Sequence, residues 1–352
     1  MPLKSEPNST SSSAGFRVVA IGGGTGLSTV LKGLKRYTIA AGELPPANAY
    51  ISDLTAVVTV SDDGGSSGRL RRELNMLPPG DVRNCLVAVA SDENLISKLF
   101  QHRFSSSGDL EGHNFGNLFL AALTAMTGDF AVAVKKASEI LATRGHILPA
   151  TSANVQLEAE MDDGSHVVGE TKITASEKRI VELKTVPHDP LPLPQTLQAI
   201  ADANLITMGP GSLFTSLVPN LLVRGVPEAI VGSPAVKVFI CNLMTQANES
   251  LHMSASDHIQ ALYNHAGHRI FDYALVNSAP VSTRMKDQYA GQHAEQVACD
   301  VPAIERLGVR CVTGNFVEEN LFARHATDAL CRGLMGILEI HRAGMTLATG
   351  QH

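Results

Sequence analysis

The sequence predicts an α/β fold: a Rossmann-like three-layer α/β/α arrangement on a mainly parallel sheet, with a small antiparallel β insertion. Three observations carry this expectation. Short apolar runs end in glycine loops that open helices, as in "FRVVAIGGGTGLSTVLKGLK", and strands alternating with helices build a parallel, doubly wound sheet. The 352 residues, 44% apolar and 18% charged, suffice for a sizeable core and exceed the usual length of one domain. Between 154 and 186, "NVQLEAEM", "HVVGETKI" and "RIVELKTV" instead alternate apolar with polar residues, with a "DDG" turn between the first two.

Taken in order, residues 1–15 form a polar, Ser-rich tail without the apolar segment of a secretory signal, and are expected to be disordered. "FRVVAI" is a strand, and the next segment places Leu27, Val30, Leu31 and Leu34 at helical spacing. "AVVTV" (56–60) is a second buried strand. Helices are expected over 81–90, 94–103, 116–127 and 131–142. The antiparallel insertion occupies about 151–188, and "NLITM" (204–208) is the next strand. Further strands are expected at 236–242, 273–277 and 310–313, before an amphipathic helix carrying Leu330, Leu334, Ile337 and Leu338. One domain thus spans 16–343, followed by a tail at 344–352.

The net charge of −6 offers no cationic field for a polyanion, so nucleic acid is not an expected partner. No apolar run reaches the length of about 18 residues that a spanning helix needs. Cys85, Cys241, Cys299, Cys311 and Cys331 show no CxxC spacing, so they are expected as buried free thiols in a reducing cytoplasm.

Ligands of open parallel sheets bind beyond the carboxyl ends of the strands, and three polar segments are predicted there. In the first, Gly22, Gly23, Gly24, Thr25 and Gly26 open a helix whose free N–H groups suit a phosphate. Neither the GxGxxG dinucleotide fingerprint nor GxxxxGK[ST] is present. The second, "SDDGGSSGRLRRE", sets Ser61, Asp62 and Asp63 after a strand. Aspartates beside a phosphate are a common way to hold Mg²⁺, so Asp62 and Asp63 are the candidate metal ligands. Gly64, Gly65, Ser66 and Ser67 offer donors to an anion, and Arg69, Arg71 or Arg72 can fork onto phosphate oxygens. Alternatively, the acids cap a turn and the arginines lie on a solvated helix face. In the third, Gly209, Gly211 and Ser212 open another helix, where Ser212 is an N-cap or part of a second anion pocket. Together the loops predict a site for a ligand with two phosphates.

Weaker candidates are Asp81, Arg83 and Asn84 at a helix start, and His113, Asn114 and Asn117 before another. Asn242 suits either a base or sugar edge or a loop cap. His258, His265 and His268 lack HExxH spacing, and no GxSxG elbow exists. With no Trp, 5 Tyr and 11 Phe, stacking platforms for single strands are missing.

The ordered set "AIGGGTGLSTVLKGLK", "VTVSDDGGSSGRLRRE", "PPGDVRNCLVA", "GHNFGNLFLAAL", "TMGPGSLFTSLVPNLLV", "CNLMTQANE" and "SDHI" resembles the gluconeogenesis factor (YvcK-like) family, within the 2-phospho-L-lactate transferase (CofD-like) superfamily. The resemblance runs from about Phe16 to the C-terminal helix. It implies a nucleotide pocket at the glycine loops, with Gly22 to Gly26 and Gly209 to Ser212 on phosphate and Asp62 and Asp63 in the acidic role. The transferase branch moves a phospholactyl-type group from a guanylylated donor to a deazaflavin alcohol with Mg²⁺. The gluconeogenesis factor branch, closer in wording here, implies a cytoplasmic regulator of bacterial cell shape and of growth on gluconeogenic carbon sources. Members of that branch bind UDP-sugars such as UDP-N-acetylglucosamine. The resemblance thus implies a UDP-sugar, or alternatively a guanine nucleotide, as ligand, with Mg²⁺ as candidate cofactor. A homo-oligomer and cell-envelope regulatory proteins are the candidate macromolecular partners.

Overall fold

The computed structural model describes residues 15–349 apart from 40–43, 45–49, 92–94 and 106. The expectation for residues 1–14 of the tail lies outside the described residues, as do 350–352. Seven strands form one sheet: β1 (Phe16–Gly22), β2 (Ile51–Val58), β3 (His146–Pro149), then, after the insertion's β4 (Gln156–Met161), β5 (His166–Val168) and β6 (Ile180–Val186), come β7 (Leu205–Met208), β8 (Val236–Ile240), β9 (Tyr273–Asn277) and β10 (Arg310–Gly314). The order across the sheet is β10-β9-β8-β7-β1-β2-β3, and every pairing within it is parallel. β4, β5 and β6 make a separate three-stranded antiparallel sheet. A short hairpin, β11 (Val317–Glu319) with β12 (Ala323–His325), precedes the last helix.

The parallel strands read as continuous apolar runs because both faces are covered. Successive side chains of β1 show how: Val18 and Ala20 join one core with Leu27, Leu31 and Leu34, while Val19 and Ile21 join the other with Met208 and Leu217. Leu27, Val30, Leu31 and Leu34 are the buried apolar face of α1 (Gly24–Leu34). Each such side chain contributes about 1.5–3 kcal/mol by leaving water.

The four expected helices are found as α3 (Gly80–Val89), α4 (Leu95–Gln101), α5 (Phe115–Thr127) and α6 (Phe130–Ile140), preceded by a further one, α2 (Gly65–Leu74). Asn114 and Asp129 cap α5 and α6, accepting N–H bonds from Asn117 and Val132. Two local readings need correction. "HVVGETKI" is not one strand: it turns at Gly169, φ 103°, into α7 (Glu170–Ala175). The terminal helix, Thr327–Thr349, continues past the start of the expected tail at 344. β3 was not foreseen, because "HILP" is too short for a period. The five cysteines are free thiols; Cys85, Cys241 and Cys331 are buried, and Cys299 and Cys311 are half-buried. No helix among the described residues is long and apolar enough to cross a membrane.

Candidate functional site

The chain lays β1, β2 and β3 toward one edge of the sheet and β7 to β10 toward the other, so its direction reverses between β1 and β7. Ligand crevices of open parallel sheets lie at such a point, beyond the carboxyl ends of the strands. A cleft of about 520 Å³ occupies it.

Gly23, Gly24, Thr25 and Gly26, which follow β1, and Gly211 and Ser212, which follow β7, line this cleft. The two loops touch. A Cβ on Gly26 would stand 2.1 Å from the Pro210 carbonyl oxygen, so only glycine permits the approach. Gly24, at φ 60°, turns the chain into α1, whose first N–H groups have no intrahelical acceptor and suit an anion. Gly22 and Gly209 are buried behind the lining; a Cβ on Gly209 would meet the Ile240 carbonyl oxygen at 2.5 Å. Asn242 lines the cleft too, but its amide is committed to the second loop. Its Nδ2 donates to the Gly211 carbonyl at 2.8 Å and its Oδ1 accepts the Gly211 N–H at 3.0 Å.

The segment "SDDGGSSGRLRRE" divides its labour. Asp62 lines the cleft while its Oδ1 accepts the Gly64 N–H at 2.8 Å. Asp63 holds the insertion: its Oδ1 accepts the Thr171 N–H at 2.9 Å and the Thr171 hydroxyl at 2.6 Å, at the start of α7. Ser61 is buried with its hydroxyl 3.1 Å from Thr59, and Gly64 and Gly65 form the entry to α2. Arg69 donates to the carbonyls of Glu111 and Asp109, both at 2.6 Å, which ties down the 108–112 loop. Asn117 is buried between Ser66 and Arg83, donating to the Ser66 hydroxyl at 3.1 Å and accepting from Arg83 at 3.0 Å. Ser66 also meets His113 Nδ1 at 3.1 Å. None of Ser61, Asp63, Gly64, Gly65, Arg69 and Asn117 is part of the cleft lining.

The protein-family comparison matches a model described as 2-phospho-L-lactate transferase CofD over residues 18–317. Among curated proteins, the gluconeogenesis factor of Halalkalibacterium halodurans is 46% identical over 319 residues, 90% of this chain and 95% of that one. The gluconeogenesis factor of Bacillus subtilis is 44% identical, covering 92% of this chain and 98% of its own. The chain belongs to the gluconeogenesis factor family, within the CofD superfamily. A crystal structure of a Bacillus halodurans protein, 45% identical, matches the fold with a TM-score of 0.86 over 92% of this chain and 100% of that one.

In this family member, side chains beyond the glycine motifs complete the cleft. Asp81, from the first turn of α3, and Glu170, the first residue of α7, line it with Asp62. Burial, then the charge of Asp62, raises the Asp81 carboxyl to about 6 against the opposing Gly24 N–H bond. Burial, followed by Asp62, Asp81 and Asp63, raises Glu170 to about 9. Among the described residues, no three His, Cys, Asp or Glu side chains close into a metal-binding group. Mg²⁺ fits this donor set, since it commonly takes one or two carboxylates and keeps waters. Asp62 and Asp81 would hold it, neutralising the repulsion between these acids.

Leu243, Met244, Thr245 and Gln246 after β8, Tyr289, and Ala323, Arg324 and His325 of the hairpin form the remaining wall. Arg324 is exposed, with its guanidinium 5.7 Å from the Phe322 ring. His325 donates Nε2–H to the Cys241 carbonyl at 3.1 Å, and burial lowers its pKa to about 4. Sequence reasoning named Asp81 only weakly and missed Glu170, Gln246, Arg324 and His325. Glu170 was hidden by the misread strand. The hairpin's two three-residue strands carry no periodic signal, so nothing local pointed to Arg324.

Proposed function

We propose that this protein binds a nucleotide-sugar, specifically a UDP-sugar, in the cleft between β1 and β7. It then acts as a cytoplasmic regulator of cell shape and of growth on gluconeogenic carbon sources. The observation that carries the reading is the contact of two glycine loops at the point where strand order reverses, in a cleft of about 520 Å³. Backbone N–H groups there serve a diphosphate, Arg324 adds a cation, and the wall formed by residues 243–246 and Tyr289 faces the remainder of the ligand. The names of the relatives, gluconeogenesis factors, support the part of this role that concerns gluconeogenic growth. No base and nucleophile pair is required, because occupancy itself is the signal. Titration calorimetry with UDP-N-acetylglucosamine, with and without Mg²⁺, tests this; absence of binding in both conditions overturns it.

The three carboxylates Asp62, Asp81 and Glu170 in the same cleft favour a second reading. In it, Asp62 and Asp81 would hold Mg²⁺, which would supply charge stabilisation for a phosphoryl-type transfer, where positioning and electrostatics do most of the work. The chain's own residues then bind and orient: the glycine loops take phosphate oxygens and Arg324 offsets negative charge. Incubation with a guanylylated phospholactate donor and a deazaflavin alcohol, followed by mass spectrometry, tests it. Lack of product counts against this reading while leaving ligand binding intact.

A further inference from the structure

The segment after β8 forms a closed turn over residues 246–250. The Ser250 N–H donates to the Gln246 carbonyl at 3.0 Å, and the Gln246 N–H donates back to the Ser250 hydroxyl at 3.1 Å. Asn248 takes the left-handed conformation, φ 63°, and its side chain reaches the Thr174 carbonyl at 3.4 Å. The turn presents Gln246 to the cleft and buries Glu249 behind it.

These two side chains hold successive residues of the loop after β7. One Glu249 oxygen accepts the N–H groups of Phe214 and Thr215 at 2.9 and 2.8 Å, which pins the turn that follows Ser212. The Ser212 hydroxyl oxygen accepts from Gln246 Nε2 at 2.9 Å. That bond sets the amide with Nε2 toward Ser212. Gln246 Oε1 is left buried with no donor in reach. An unmade hydrogen bond at a buried acceptor carries a desolvation cost, so such an atom at a cleft wall marks a place where a ligand group completes it.

The geometry points to Gln246 Oε1 as a subsite that reads a hydrogen-bond donor on the ligand, a hydroxyl or N–H of its sugar or base portion, with Glu249 and Ser212 as positioning residues. This rests on the nucleotide-sugar reading above and adds an orientation to it. A phosphate oxygen is repelled by an amide oxygen, so the diphosphate lies toward Gly24 and Gly211 and the donor-bearing portion toward Gln246.

The test compares inorganic pyrophosphate, UDP and UDP-N-acetylglucosamine by titration calorimetry against wild-type protein and Gln246→Met, a variant of similar length that removes the acceptor together with the bond to Ser212. Gln246→Met is expected to weaken the donor-bearing ligand about five- to tenfold, the worth of one neutral hydrogen bond, and to leave pyrophosphate within about twofold. A loss confined to UDP-N-acetylglucosamine places the donor on the sugar; a loss shared with UDP places it on the nucleoside; both outcomes support the subsite. Equal weakening of pyrophosphate, or no weakening of either uridine ligand, overturns it while the nucleotide-sugar reading stands. If wild-type protein binds neither uridine ligand, that reading falls and the subsite falls with it. Gln246→Glu serves as the second variant. It keeps an acceptor but adds charge, so it should lower pyrophosphate affinity at least as much as that of UDP-N-acetylglucosamine; the reverse order also overturns the proposal.

Discussion

Gly26 lies against Pro210 so closely that a Cβ on the glycine would sit 2.1 Å from the proline carbonyl oxygen. The loop after β1 and the loop after β7 are therefore one surface. Gly26→Ala must push them apart, since the obstacle is backbone and not a flexible side-chain end. The expected result is a loss of about 1–3 kcal/mol in urea unfolding, typical of an overpacked position, together with loss of UDP-sugar binding by calorimetry.

The two adjacent aspartates separate in a pair of variants. Asp63→Ala removes the acceptor of the Thr171 N–H and hydroxyl, so stability should fall by about 1–2 kcal/mol, the scale of a lost helix cap. Amide exchange of residues 170–175 should accelerate. Asp62→Asn keeps an oxygen for the Gly64 N–H and should leave stability near wild type while abolishing the Mg²⁺ effect on ligand affinity. Identical behaviour of the two variants would refute the division of roles.

His325 sets an acid limit on stability. Its folded pKa of about 4 lies below its ordinary value of 6.5, so the fold favours the neutral ring. Its contribution is complete above about pH 6.5 and is lost as pH falls through about 4, amounting to roughly 2–3 kcal/mol. His325→Gln should therefore lose less stability than wild type between pH 7 and pH 4.5 in urea titrations. Parallel losses in the two proteins would exclude this origin.

Arg324 is exposed and lines the cleft. Arg324→Ala should weaken nucleotide-sugar binding by about tenfold, as for a lost charge-assisted hydrogen bond. The melting temperature should stay within about 1 °C, as for an exposed surface change. A large drop in melting temperature would instead show that the side chain supports the hairpin.

Much of the framework was legible because its signals are local. "FRVVAIGGG" and "NLITMGPG" show buried strands running into turns, and the loops they feed line the cleft as their positions suggest. What escaped depends on partners distant in sequence. Arg69, in a run of cations, reads as an anion ligand, yet two carbonyls about forty residues away claim its guanidinium. Asn242 reads as a ligand contact, but the Gly211 peptide matches its amide on both sides. Asp63 stands beside Asp62 in sequence, and only the docking of the insertion assigns it to Thr171. β5 and α7 were merged because a single Gly169, placed in an alternating run, redirects the chain.

The bond from Asp63 to Thr171 spans 108 positions, and the next residue on the insertion side is Glu170. The framework up to β3 carries two of the cleft's three carboxylates, and the third arrives only when the insertion docks. Docking of this small sheet therefore brings a carboxyl that burial holds protonated near neutral pH beside Asp62 and Asp81, so the insertion adds a proton donor, and not a further negative charge, to the cleft.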